Sequence, residues 1–148
     1  MEKLIRKAEF SDLDGILELL YQLSPNNEQT SKFEIDRVMG KILNNSDYYL
    51  NVCESDKILS GTSMFFIQQN LSHGGRPVGH VENVVVDKNY RGQGISKLLV
   101  NDLLKFSNLT GCYKTILDCS KKNVPVYASM NFKETGEVQM RLNPNKVS

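Results

Sequence analysis

The stretch HVENVVVDKNYRGQGISKLL, from His80 to Leu99, joins an apolar run to a helical pattern through Arg91-Gly92-Gln93-Gly94. Two glycines let a backbone approach a ligand closely. A helix starting directly after them presents unpaired N–H groups and the positive end of its dipole, which together suit an anion. Arg91 and Lys97 place positive charge at either end of this turn. The spacing fits neither GxxxxGK[ST] nor GxGxxG, so the common nucleotide loops are excluded. Two readings stay open for the loop alone: a plain tight turn, or a seat for something carrying phosphates. Upstream, Glu82 sits among apolar neighbours in Val81-Glu82-Asn83-Val84. A carboxylate there is either exposed on an open face or functional.

The elements that must position this loop follow from periodicity. Residues 4–8 read as a strand. Ser11 offers an N-cap, with Asp12 and Asp14 placed for the dipole of a helix carrying Leu13, Ile16, Leu17, Leu20 and Leu23. Ser24-Pro25-Asn26-Asn27 ends that helix. Ser31-Lys32-Phe33-Glu34 fits a capping box for a second helix, with Ile35, Val38, Met39, Ile42 and Leu43 on its apolar side. The spans 48–54 and 58–68 read as a hairpin around Ser55-Asp56-Lys57. After a polar loop over 69–79 come a strand over 80–87, a helix over 94–108, a strand over 113–119, a short helix over 124–130 and a closing strand over 132–142, interrupted near Gly136. This order predicts an α/β (α+β) chain, one domain over 1–148, with a central mixed, mostly antiparallel sheet flanked by helices.

With 148 residues the chain is large enough for its own core. Its net charge of +1 argues against a general nucleic-acid binder, which carries a basic excess. No apolar run approaches the ~20 residues of a membrane helix, and acidic residues stand where a signal peptide needs its apolar core. The three cysteines, Cys53, Cys112 and Cys119, form no CxxC pair, and with their odd number favour reduced thiols. These observations predict a cytoplasmic protein without membrane or nucleic-acid partners. The Asn-x-Ser/Thr matches at Asn44, Asn70 and Asn108 are expected to be chance.

Arg91-Gly92-Gln93-Gly94-Ile95-Ser96 resembles the [RQ]-x-x-G-x-[GA] loop of the GNAT acetyltransferases, which cradles the pyrophosphate of acetyl-CoA. The wider stretch, with "GCYKTILDCSKKNVPVY" and the trailing "NF", is similar to the glucosamine-6-phosphate N-acetyltransferase branch from about His73 to Phe132. The resemblance implies the GNAT fold, acetyl-CoA as donor with no metal, D-glucosamine 6-phosphate as acceptor, direct attack in a ternary complex, and a homodimer. Another small amine or a peptide N-terminus as acceptor, or a non-catalytic acyl-CoA-binding module, are the rival readings.

Residue roles follow from the same resemblance. Val84, Val85 and Val86 would pair with the pantetheine arm, and Arg91, Gly92, Gln93, Gly94, Ile95, Ser96 and Lys97 would hold the diphosphate. Asn123 would contact the cofactor near its pantetheine; its position also suits a helix N-cap. Tyr127, in "NVPVY", would donate a proton or hydrogen bond to the departing sulfur. Glu82 and Asp118 are the carboxylates nearest the chemistry, and a water relay is equally open for the base. Ser24, His73, Glu82, Asn83, Tyr113, Lys114, Asp118 and Arg141 would bind the acceptor. The chain departs from the pattern at Asn83, where the family has Asp; at Ser96, where it has Gly or Ala; at Asn131, where it has Gly; and near the C-terminus, where Arg141 precedes the best-matched position, Asn143.

Overall fold

The computed structural model describes residues 2–25 and 30–144. The chain forms two compact units, Met1–Leu117 and Asp118–Ser148. Asn26 and Asn27, expected to terminate the first helix, lie outside the described residues.

The first unit is built on a five-stranded sheet in the order β1-β2-β3-β4-β5. Its elements are β1 (Lys3–Lys7), α1 (Leu13–Leu23), α2 (Lys32–Leu43), β2 (Tyr48–Ser55), β3 (Ile58–Gln68), β4 (Val78–Val86), α3 (Ile95–Leu109) and β5 (Lys114–Ile116). β1 to β4 run antiparallel and β5 lies parallel to β4, so the sheet is mixed and mostly antiparallel as expected. The β2–β3 hairpin turns on Asp56 and Lys57, both at positive φ (50° and 69°), as a two-residue hairpin turn requires.

β2 shows why both faces of the sheet are covered. Leu50 and Val52 join Ala8, Leu13, Ile16 and Met39 in a cluster with the α1 and α2 side chains. Cys53, one residue on, points the other way and packs with Ile95 and Leu99 of α3. Alternate residues of one strand therefore feed two cores. Each fully buried aliphatic such as Val52 or Leu99 contributes about 1.5–3 kcal/mol relative to exposure. α3 approaches β3 closely at Gly61, where an added Cβ would lie 3.0 Å from Leu99 and 3.1 Å from Ile95.

Polar groups pin α3 as well. Asn51 is fully buried. Its Nδ2 donates to the Leu99 carbonyl (3.1 Å) and to Asp102 Oδ2 (2.9 Å), while its Oδ1 accepts from Ser63. The Tyr49 hydroxyl also donates to Asp102, at 2.8 Å. Burial, and then that carboxylate, push the Tyr49 phenol up to about 12.

Three expectations need correction. Ser11 does not cap α1: it lies inside a 3-10 turn, Phe10–Asp12, whose Asp12 carboxylate accepts from the Glu9 N–H at 2.7 Å. The N-cap position of α1 falls on Asp12 instead, one residue on, and its carboxylate is engaged by Arg6 and the Glu9 amide rather than by the helix. Ser31 does cap α2, accepting from the Glu34 N–H at 3.2 Å, but Glu34 turns to Arg37 rather than completing the reciprocal bond. The strand expected over 132–142 is absent. Those residues carry no regular secondary structure, and Gly136 bends the run at φ 84°.

In the second unit the described regular structure is a 3-10 turn, Lys121–Asn123, leading into α4 (Val124–Ala128). Asn131 closes the following turn at φ 70°, the left-handed geometry that asparagine tolerates in place of glycine.

Candidate active site

β4 leads into the glycine loop, and its last residues form the edge that the resemblance assigned to the pantetheine arm. Met64 faces Glu82 and Thr62 faces Val85, so two residues of β4, Asn83 and Val84, oppose the single residue Ser63. This is a β-bulge, with Asn83 at φ 52°. Beyond it, Val85 and Val86 remain paired with β3 on one side. On the other side, β5 pairs only with Val78, Gly79 and His80. Among the described residues, Val84–86 therefore offers an edge without a neighbouring strand, the place expected for an extended amide-bearing arm. The bulge was not anticipated, although an asparagine inside an apolar strand was its available signal.

The loop itself lies open. Gly92 and Gly94 adopt φ 78° and 76°, and nothing lies within 4 Å of where a side chain would start on either. Gly94 is the N-cap of α3, and no side chain caps it. The first bond back into the helix is Leu98 N–H to the Gly94 carbonyl, at 3.2 Å. The N–H groups of Ile95, Ser96 and Lys97 thus precede the helical ladder. They form a donor set at the positive end of a 15-residue helix, an arrangement that can receive an anion. Ile95 is buried under the loop, Ser96 is half-buried, and Arg91, Gln93 and Lys97 are exposed. Arg91 donates Nε to the Val86 carbonyl (3.1 Å), tying the loop's first residue to the end of β4. Lys3 donates to the Gln93 carbonyl at 2.9 Å, a contact from β1 that no local pattern announced.

The structure also gathers three expected acceptor-binding residues. His73 stacks on Tyr113 with ring centroids 4.0 Å apart, and Lys114 Nζ lies 5.5 Å from the same ring. His73 sits at φ 52°, with Nδ1 3.0 Å from the Ser72 hydroxyl. Lys114 is exposed at the start of β5. Glu82 and Asn83 are exposed on β4, and Ser24 is exposed at the C-cap of α1.

The remaining candidates belong to the second unit. Tyr127 lies on α4, half-buried, with Phe132 edge-on at 6.0 Å. Burial pushes its phenol up, and the neighbouring Cys119 thiol adds in the same direction. The phenol is therefore protonated at neutral pH and available as a donor. Asn123 occupies the N-cap position of α4, but its side chain makes no capping bond and is exposed. Asp118 is exposed and accepts from Gln139 at 3.0 Å. Arg141 is exposed and donates to Asn143 at 3.0 Å. Among the described residues no group of three His, Cys, Asp or Glu side chains is placed to hold a metal ion, and no helix is long and apolar enough to cross a membrane.

Comparison with known proteins matches this arrangement. Residues 13–132 match the Acetyltransferase (GNAT) family. A glucosamine 6-phosphate N-acetyltransferase of Trypanosoma brucei brucei is 49% identical over 82 residues, 55% of either chain. Glucosamine 6-phosphate N-acetyltransferase 1 of Dictyostelium discoideum is 34% identical over 93% of this chain and 88% of its own. Among solved structures, the glucosamine-6-phosphate N-acetyltransferase of Arabidopsis thaliana superposes with a TM-score of 0.90 at 31% identity, covering 97% of this chain and 99% of that one. A Trypanosoma brucei acetyltransferase superposes with a TM-score of 0.87 at 37% identity, covering 96% and 99%. The family match over most of the chain and these relatives place the chain in the GNAT acetyltransferase family, within the branch of the glucosamine 6-phosphate N-acetyltransferases.

Proposed function

We propose that the chain transfers the acetyl group of acetyl-CoA to the amine of D-glucosamine 6-phosphate, releasing CoA and N-acetyl-D-glucosamine 6-phosphate. The observation that carries this reading is the uncapped N-terminus of α3 behind Gly92 and Gly94, open to a diphosphate and continuous with the free edge of Val84–86. The named relatives from Dictyostelium and Arabidopsis support the acceptor. The family match over 13–132 crosses the boundary between the two units, which supports one catalytic domain.

Acetyl-CoA supplies an activated acyl group on a thioester. The chain supplies the rest. Backbone amides at Gly92 to Lys97 bind the diphosphate, with Arg91 and Lys97 adding charge, and the edge at Val84–86 aligns the arm by strand-like hydrogen bonds. His73, Tyr113 and Lys114 receive the acceptor phosphate, where a cation and N–H donors make charge-assisted bonds. Ser24, Glu82, Asn83 and Asp118 orient the sugar, with Arg141 as a further phosphate contact. The attacking amine must be neutral, and Glu82 or Asp118, directly or through water, takes its proton. Tyr127 donates to the departing sulfur. Asn123 holds the pantetheine. Fixing both substrates in one complex supplies several kcal/mol of the barrier reduction through orientation.

A homodimer and a cytoplasmic location complete the proposal. Val138, Met140 and Leu142 alternate along the C-terminal segment and are 80%, 89% and 70% exposed. That is the two-residue period of a strand face, left uncovered in the single chain. A second copy is the partner we assign to it. The three unpaired cysteines suit a reducing compartment.

The test mixes the protein with acetyl-CoA and glucosamine 6-phosphate and follows free thiol. Thiol release supports the proposal. Release only with another amine reassigns the acceptor, and CoA binding without turnover on any amine removes the enzymatic reading.

A further inference from the structure

Gln22, in the last turn of α1, bridges two parts of the first unit. Its Nε2 donates to Asp87 Oδ2 at 3.0 Å, and its Oε1 accepts from the Lys88 N–H at 3.0 Å. An amide side chain is suited to this pair, since it donates and accepts at once. Asp87 organises the turn that leads into the glycine loop. Its Oδ1 accepts from the Asn89 N–H at 2.8 Å, its carbonyl accepts from the Tyr90 N–H at 2.8 Å, and its own N–H donates to the Ser60 carbonyl at 2.8 Å. The Asn89 amide first, and the Gln22 amide second, hold the Asp87 carboxyl below its ordinary range, with smaller help from Lys88 and Arg91. The residue that ends this turn is Arg91, bonded to Val86. Two residues beyond Gln22 on the other side of the clip stands Ser24.

We infer that Gln22 is a positioning residue for acetyl transfer: through Asp87 and Lys88 it fixes the turn that carries the diphosphate loop to the end of α1, so that CoA affinity depends on a side chain on an acceptor-side helix. This rests on the assignment of the loop to CoA. The Gln22–Asp87 bond is partly buried and reaches across 65 residues of sequence, and no other side chain bond joins α1 to this turn among the described residues. Losing it leaves the turn's internal bonds intact. The turn therefore persists, but its placement against α1 loosens.

The experiment measures the CoA dissociation constant by calorimetry, and the melting temperature, for the full chain and four variants. Gln22→Ala should weaken CoA by about fivefold, the loss of net hydrogen bonding. Gln22→Glu should weaken it more at neutral pH, because two carboxylates then face each other. The double variant Gln22→Glu/Asp87→Asn should recover affinity to within about twofold. The amide introduced at position 87 would still accept from the Asn89 N–H while donating to the carboxylate introduced at position 22, which reverses the bond. Asp12→Asn, remote from the loop, serves as the stability control and should lower the melting temperature without weakening CoA. Equal CoA affinity in Gln22→Ala and wild type, no recovery in the double variant, or equal weakening by Asp12→Asn at matched melting temperature would each overturn the positioning role alone. A wild-type chain that does not bind CoA would overturn the function proposed above and this inference with it.

Discussion

His73 lies flat against Tyr113, ring planes 14° apart and centroids 4.0 Å apart, with Lys114 Nζ 5.5 Å from the tyrosine centroid. The stack holds a histidine in left-handed backbone geometry beside a lysine of β5. A phosphate bound there gains a cation already held near the ring. Lys114→Ala should raise the KM for glucosamine 6-phosphate by about tenfold, within the range of a lost charge-assisted bond. The KM for unphosphorylated glucosamine should stay the same. Steady-state kinetics on both sugars checks this, and an equal effect on the two would take the phosphate away from Lys114.

Gly94 bears the conformational cost of starting α3 at φ 76°. Gly94→Ala keeps the open space but brings a Cβ into left-handed backbone, costing about 1–2 kcal/mol. The helix can relieve this by rotating its first turn, which spoils the donor set. The dissociation constant for CoA should rise about tenfold while kcat at saturating acetyl-CoA changes little. Calorimetric titration measures the first and initial rates the second; unaltered CoA affinity would show that the loop amides do not carry the diphosphate.

Tyr127 is half-buried, with its phenol displaced upward from its ordinary value near ~10 by burial and by Cys119. It is therefore fully protonated through the neutral range, and its ionisation adds no limb to the kcat profile between about pH 6 and 9. Tyr127→Phe should lower kcat by about 10²- to 10⁴-fold, as general-acid assistance does, with the CoA dissociation constant unchanged. Rapid-quench measurement of thiol release tests the step directly. A wild-type rate in the variant would show that sulfur departs without help from this phenol.

Most of this architecture was legible along the chain because its signals are local. Helical spacing in Ile95, Leu98, Leu99 and Leu103 marked α3, and Ser55-Asp56-Lys57 marked a hairpin, whose turn is tighter than that by Ser55, the last residue of β2. The glycine loop stood out because its chemistry is backbone chemistry, set by residues adjacent in sequence, although those residues alone left a plain turn and a phosphate seat both open. What escaped depends on partners distant in sequence. The bulge at Asn83 exists because β3 supplies one residue where β4 supplies two. The buried Asn51 reads as a polar strand residue until α3 supplies Leu99 and Asp102. The expected strand over 132–142 shows the converse error: Val138, Met140 and Leu142 carry the alternation, but a strand also needs a neighbour, and the single chain gives it none among the described residues.

Arg6 grips Asp12 with two bonds, Nη1 to Oδ2 at 2.7 Å and Nη2 to Oδ1 at 2.9 Å, and also reaches Glu54. The side chains of Arg6 and Asp12 are 26% and 10% exposed, so solvent screens this pair only in part. Hydrogen bonding to Arg6 first, and to the Glu9 amide next, lowers the Asp12 carboxyl below its ordinary value. A depressed carboxylate adds stability that is fully present above the unfolded value, near ~3.9, and is lost as pH falls through the folded one. Melting temperature should therefore hold steady down to about pH 4 and then fall. Asp12→Asn should lower it by roughly 4–8 °C at pH 7, for about 2 kcal/mol of charge-assisted bonding in a chain this size. The same variant should show a shallower acid limb, because the group whose protonation weakens the native state is gone. Thermal melts from pH 7 to about pH 2.5 decide it: parallel curves for the two proteins would mean that the acid sensitivity arises at other carboxylates, and that the Arg6 clasp does not couple the join between β1 and α1 to pH.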